Sequence, residues 1–189
     1  MTKPITTPKG KAIFPHLTEA DYKFKSEGEY HVKLECLKSE CENIIQTVGS
    51  LIAQEIKKQH DKDPNKAITK APLPYVIEDD KVIFNFKMRA SGRRKDDGKT
   101  FTQKPILLQA DLKTPLEEGT QIWGDSILRI VAEPNPYNMP IGIGCTLRLK
   151  TVQVIELVTG KSKNTLGELE AAPVVAPKVK SESEPHNLF

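Results

Sequence analysis

Hydrophobic and polar positions change period several times along this chain, and each change marks an element. Tyr30 to Cys36 alternates apolar with polar, the two-residue period of a half-buried strand. From Cys41 to His60 the period lengthens: Ile44, Ile45, Val48, Leu51, Ile52 and Ile56 fall three and four residues apart, forming one stripe along a helix. Lys57 and Lys58 suit the negative end of its dipole, and Asp61-Lys62-Asp63-Pro64-Asn65 ends it. The stripe predicts packing on the helix's own domain; docking of a partner helix is the alternative. Strands resume after a polar connection. Val82, Phe84, Phe86, Met88 and Ala90 share one face, while Ile83, Asn85, Lys87, Arg89 and Ser91 share the other. A loop containing Gly92 and Gly98 then leads to a partner strand over residues 100–110, where Pro105 suggests an edge or a bulge.

Residues 126–132 predict another short strand, residues 134–140 (Pro-Asn-Pro-Tyr-Asn-Met-Pro) a loop, and residues 145–158 a long strand. In that last strand the apolar parity slips between Leu149 and Val152, which calls for a bulge or a strand wrapping a closed barrel. About five strands with one inserted helix predict a mainly β domain, an OB-type five-stranded barrel, over residues 29–159. An open α+β sheet is the alternative. Residues 1–28, rich in Thr, Pro, Lys and Gly, read as an extended N-terminal arm. Residues 160–189 lose apolar periodicity and read as a flexible, disordered C-terminal tail.

Composition adds little until its distribution is considered. The net charge is only +3, and 28% of residues are charged. No apolar run approaches the roughly 20 residues needed to span a bilayer, and the first residues have no apolar signal core, so no membrane partner is expected. Cys36, Cys41 and Cys145 include no C-x-x-C pair, which argues against a disulfide framework. Their spacing with His31 and His60 fits no familiar zinc pattern, and neither metal nor cofactor is expected. P-loop, H-E-x-x-H and G-x-S-x-G motifs are missing, and Gly142-Ile143-Gly144 precedes a strand rather than opening a helix. The chain therefore reads as non-enzymatic.

Basic residues crowd into one hairpin. Lys87, Arg89, Arg93, Arg94, Lys95, Lys99 and Lys104 stand against Asp96 and Asp97, seven positive to two negative. Such clustering creates a field in which polyanion phosphates dock; a solvated loop is the plain alternative. Tyr75, Phe101, Trp123 and Tyr137 lie in or beside loops, out of the apolar strand phase, and are candidates for stacking on unpaired bases. Phe84 and Phe86 lie in that phase and belong to the core. An RNA-binding OB domain or a non-catalytic scaffold would use the same surface differently.

These residues resemble a known family, the OB-fold single-stranded DNA-binding proteins of tailed phages. The likeness runs through Pro74-Tyr75, Phe84-Asn85-Phe86-Lys87-Met88-Arg89-Ala90-Ser91, the basic hairpin and Leu107 to Asp111. It returns at Val131, Pro134-Asn135-Pro136-Tyr137-Asn138, Ile141-Gly142, Leu147-Arg148-Leu149 and Val154-Ile155-Glu156-Leu157, so it is scattered over residues 30–158. The resemblance implies coating of single-stranded DNA in phage replication, recombination or repair, in the cytoplasm of an infected host. It places Arg89, Arg93, Arg94 and Tyr137 in the DNA-binding region. It also implies polymerase and helicase as partners, reached through an acidic tail ending in an aromatic residue. This chain carries Leu188 and Phe189 as such a hook, but residues 161–189 hold four lysines and four glutamates rather than an acidic excess. Double-stranded DNA and a second copy of the chain are further partners that the reading admits.

Overall fold

The computed structural model describes residues 2–159 except Lys66 and Lys95. Among them are ten strands and one helix in the order β1 (Ile5–Thr6), β2 (Gly10–Asp21), β3 (Glu29–Leu37), α1 (Lys38–Lys62), β4 (Tyr75–Glu78), β5 (Lys81–Arg89), β6 (Ser91–Arg93), β7 (Thr100–Thr102), β8 (Ile106–Leu108), β9 (Ile127–Met139) and β10 (Gly142–Glu156). Five long strands form a ring, β2-β3-β5-β10-β9 and back to β2. Neighbours are antiparallel except β5 and β10, which run parallel. Two seams close the ring and both are short: Leu147 and Arg148 against Phe86 and Lys87, and Gly10 and Lys11 against Leu128 and Ile127. This is the partly open five-stranded barrel of an OB fold. Of the five remaining strands, β1, β4 and β8 are short additions to this sheet, and β6 and β7 form a separate two-stranded hairpin.

Alternation on β3 and β5 builds the interior. Tyr30, Val32, Leu34 and Cys36 are buried opposite Met88, Phe86, Phe84 and Val82, register pair by register pair. Helix α1 contributes Cys41, Ile44, Val48 and Ile52 to the same core, as its stripe predicts. The parity slip in the last long strand is a bulge. Leu149 pairs with Ala132 but Thr151 pairs with Val131, so Lys150 is the extra residue and both Leu149 and Val152 point inward.

Three sequence expectations give way. Within the expected arm, Ile5–Thr6 and Gly10–Asp21 are strands of the main sheet, with Ala12 and Leu17 buried. Ala12 and Leu17 are five positions apart, so a regular strand would place them on opposite faces. One extra residue between Ile13 and His16, with Phe14 at φ 47°, turns both inward and hides the two-residue period. Residues 134–139, expected as a loop, continue β9 and pair with β10 from Leu147 to Gly142. Pro134 and Pro136 are two apart and so lack their N–H groups along the same edge, which is the place where a strand tolerates proline. The partner strand expected over residues 100–110 also divides: β7 pairs with β6, and beyond Pro105 β8 pairs in parallel with β10.

Candidate nucleic-acid interface

Because Val32, Phe86 and Leu147 point into the barrel, the residues beside them point out. Strand register then aligns His31 with Lys87 and Lys87 with Arg148, a row of basic side chains across β3, β5 and β10. These groups are far apart in sequence, and only the barrel topology unites them. Arg148 is steadied by a 3.0 Å hydrogen bond from Nη2 to the Gln103 side-chain oxygen, and Arg89 lies 3.5 Å from the Glu27 carboxylate.

Three depressions run across this outer face and share walls. The first is bounded by Ile13, Lys33, Tyr75, Val76, Ile83 and Asn85. Lys33 and Asn85 continue into a second, where Phe14, Phe24, Asp21 and His31 appear. Lys25, Glu29 and Lys87 lead into a third, lined by Arg89, Phe101, Tyr137, Met139 and Arg148. The whole is a groove with cations along its floor and rings along its sides.

Two of those rings are held by glycines across the strand. Phe101 faces Gly92 in β6–β7 register, and Tyr137 faces Gly144 in β9–β10 register. A Cβ on Gly144 would lie 2.6 Å from the Tyr137 Oη, and one on Gly92 would lie 3.0 Å from the Phe101 ring. Tyr137 therefore lies down over a backbone that only glycine leaves low enough, and Phe101 rests closely on Gly92, a cross-strand arrangement that orients both rings. Phe14 and Phe24, by contrast, stand free, 76% and 82% exposed, and the Lys23 ammonium sits 5.4 Å above the Phe24 ring. Tyr75 is more enclosed: it meets Phe84 edge-on at 5.7 Å, and burial raises its phenol above the usual range.

The structure brings Tyr75, Lys87, Arg89, Phe101 and Tyr137 to one groove. Arg93, Arg94 and Lys99 occupy the exposed β6–β7 hairpin, with Arg94 and Lys99 4.0 and 3.9 Å from the Asp97 carboxylate. Trp123 is not brought in. It is half exposed on the turn before β9, where the Ser126 N–H donates to its carbonyl, and it lines none of the three depressions. Lys95, Leu188 and Phe189 lie outside the described residues. Sequence reasoning missed Phe14, Phe24, Lys25, Lys33 and Arg148. Lys33 and Arg148 were detectable, since each falls between two inward positions of an expected strand. Phe14 lies where the bulge masks the periodicity of β2, and Phe24 lies in the connection between β2 and β3, which has no periodicity.

Cys36, Cys41 and Cys145 are free and buried. Burial pushes the Cys145 thiol up to about 11 and raises Cys36 and Cys41 as well, so all three are protonated core groups. Among the described residues no helix is long and apolar enough to cross a membrane.

No family model matches the chain, and no curated protein matches it in sequence. Solved structures do match in fold. The single-stranded DNA-binding protein gp2.5 of bacteriophage T7 superposes with a TM-score of 0.73 at 22% identity, over 94% of this chain and 100% of that one. The single-stranded DNA-binding protein of bacteriophage Enc34, in its complex with single-stranded DNA, gives 0.53 at 15% identity, over 82% of this chain and 88% of that one. The chain thus has the mainly β, OB-type fold that these two phage proteins share.

Proposed function

We propose that this chain is a non-catalytic, sequence-tolerant single-stranded DNA-binding protein. The observation that carries the reading is the groove on the β3-β5-β10 face, where the His31-Lys87-Arg148 row is flanked by Phe14, Phe24, Phe101 and Tyr137. Lys87 and Arg148, with Lys33 and Arg89 beside them, exchange counterions for phosphates, which gives affinity without reading sequence. Exposed rings accept unpaired bases by stacking, and every base offers a face to stack. A duplex keeps its bases stacked within the helix and cannot use the rings, so single strands bind more tightly. The fold neighbours, both described as phage single-stranded DNA-binding proteins, support the same reading.

On this reading the chain coats and protects single strands during phage replication, recombination or repair in the cytoplasm of an infected host. Leu188 and Phe189 serve as an apolar contact for polymerase or helicase, a role supported by the sequence of the tail. Titration of fluorescent single- and double-stranded oligonucleotides at several salt concentrations tests the function. Saturable single-strand binding is expected, with a log–log salt slope of about −0.7 per phosphate neutralised. Absence of saturable binding at low salt would overturn the proposal, and tighter binding of RNA in competition would replace DNA with RNA.

A further inference from the structure

Strands β2 and β3 fall out of step beside the groove. Ile13 pairs with Lys33, His16 with His31, and Asp21 with Glu29. β2 therefore accommodates one extra residue before His16 and three more before Asp21, and the slack brings both side chains to His31. The two imidazole rings lie 4.7 Å apart between centroids, and His31 Nε2 is 3.4 Å from Asp21 Oδ2. One ligating atom from each of the three residues lies within 4.8 Å of the other two. The Lys23 N–H donates to Asp21 Oδ1 at 2.8 Å, which holds the carboxyl below its usual range and leaves Oδ2 turned towards His31.

We propose that His16, Asp21 and His31 form a three-ligand site for a divalent transition metal of the zinc type. Two imidazoles and a carboxylate are a ligand set that zinc takes with its fourth position open. Nitrogen donors also select against magnesium and calcium, which take oxygen ligands. With ligand bonds of about 2.0–2.2 Å, donor atoms around a tetrahedral ion lie about 3.3–3.6 Å apart. The His31–Asp21 separation already falls in that range, and rotation of the exposed His16 ring closes the remainder. Lys33 and Lys87 line the same depression and oppose a dication, whereas Lys25 is engaged with Glu29. The imidazoles must therefore supply most of the affinity. The buried, protonated thiols of Cys36 and Cys41 do not compete for the ion.

Asp21 and His31 face the central depression of the groove. The open position therefore takes an anionic oxygen there, of the kind a nucleic-acid phosphate offers; this part alone rests on the proposed function.

The test titrates the untagged full chain, without DNA, with Zn²⁺ in competition with a chromophoric chelator, and separately with Co²⁺ in the visible range. One equivalent is expected, with cobalt bands that lack thiolate charge transfer. His16→Ala, His31→Ala and Asp21→Asn should each weaken binding by at least the roughly 10–100-fold that loss of a supporting partner of a metal ligand costs. His60→Ala should leave it unchanged. His31→Gln replaces His31→Ala if melting shows the latter unfolded. No saturable Zn²⁺ binding, a thiolate band, or unaltered affinity in the His16 and His31 variants would overturn the site. With DNA present, one equivalent of Zn²⁺ should tighten single-strand binding severalfold in the wild type and not in His16→Ala. Metal binding without that gain would overturn the phosphate-facing position. Failure of DNA binding altogether would refute the proposed function and leave the DNA-free titration to judge the metal site.

Discussion

In the β6–β7 hairpin, positive charge comes from neighbours in sequence; in the groove it comes from strands that meet only on folding. Arg93, Arg94 and Lys99 project into solvent, and Arg94 and Lys99 share one carboxylate, Asp97, at about the limit of an ion pair. Exposed pairs of this kind are worth about 0–1 kcal/mol, so both cations can exchange Asp97 for a phosphate at little cost. The hairpin can attract a polyanion from any direction but does little to orient it. The groove draws its cations from several strands, and its register aligns Lys87 and Arg148 and sets Phe101 and Tyr137 over glycines beside them. Density of charge and shape of site are thus separate properties here, and they predict different losses on mutation.

Removing the oriented rings should have the largest effect. Stacking on an aromatic side chain contributes about 1–3 kcal/mol per base. Phe101→Ala with Tyr137→Ala should therefore weaken single-strand affinity by about 2–6 kcal/mol if each ring holds one base. Oligonucleotide titration of the double variant measures this, and a loss no greater than that of Lys87→Ala would reduce the groove to a charged surface. Gly144→Ala sharpens the same point from the other side of the strand. Its new methyl group would meet Tyr137 Oη at 2.6 Å and displace the ring, whereas at Gly92 the ring need give only slightly. Gly144→Ala should lower both melting temperature and affinity, and Gly92→Ala neither by much.

A smaller loss, but a cleaner one, is expected at Phe14. A bulky residue at φ 47° costs about 1–3 kcal/mol of backbone strain, and glycine removes that cost. The ring is exposed, so it repays little of this by packing. Phe14→Gly should leave the melting temperature equal or higher while weakening single-strand binding by about 1–3 kcal/mol. Stability and binding moving in opposite directions would mark a residue kept for the site; a fall in melting temperature with unchanged binding would make Phe14 a structural residue.

The hairpin should respond differently again. Arg93→Ala, Arg94→Ala and Lys95→Ala together should lower the log–log salt slope by roughly 0.7 for each phosphate no longer neutralised, with the deficit greatest at low salt. Affinity at high salt should change little, because the rings remain. An unchanged slope would identify the hairpin as a solvated loop.

Much of this was readable from residue order. The alternation at Tyr30–Cys36 and Val82–Met88, the helical stripe and the slip after Leu149 specify the barrel, because burial enforces side-chain parity over several residues. β2 was not readable, since a bulge at Phe14 places two apolar residues of opposite parity on one face. The proline-rich end of β9 looked like a loop because proline's tolerance at a strand edge depends on which neighbour is missing. In the site, Lys87, Arg89, Phe101 and Tyr137 were found from charge clustering and phase. The Lys87–Arg148 pairing was not, because a parallel seam joins strands with no local signal between them.

Trp123 offers the smallest expected effect and tests where the groove ends. By phase alone it resembles Phe101, an aromatic residue beside a loop. Folding separates them: Phe101 lies over Gly92 on the groove side, while Trp123 sits on the turn that enters β9. That turn is tied to β2, with the Asp125 N–H donating to the Ala12 carbonyl at 2.9 Å and Lys11 paired with Asp125 at 2.8 Å. The turn that carries Trp123 is thus tied to Ala12 and Lys11, and none of the three connected depressions uses the indole. Saturation with a short oligonucleotide that fills the groove should leave the emission of this single tryptophan nearly unchanged, and Trp123→Phe should bind with wild-type affinity. Strong quenching, together with a loss of about 1 kcal/mol or more in Trp123→Phe, would extend the interface around the β2–β9 seam. The strand would then wrap the barrel rather than cross one face of it.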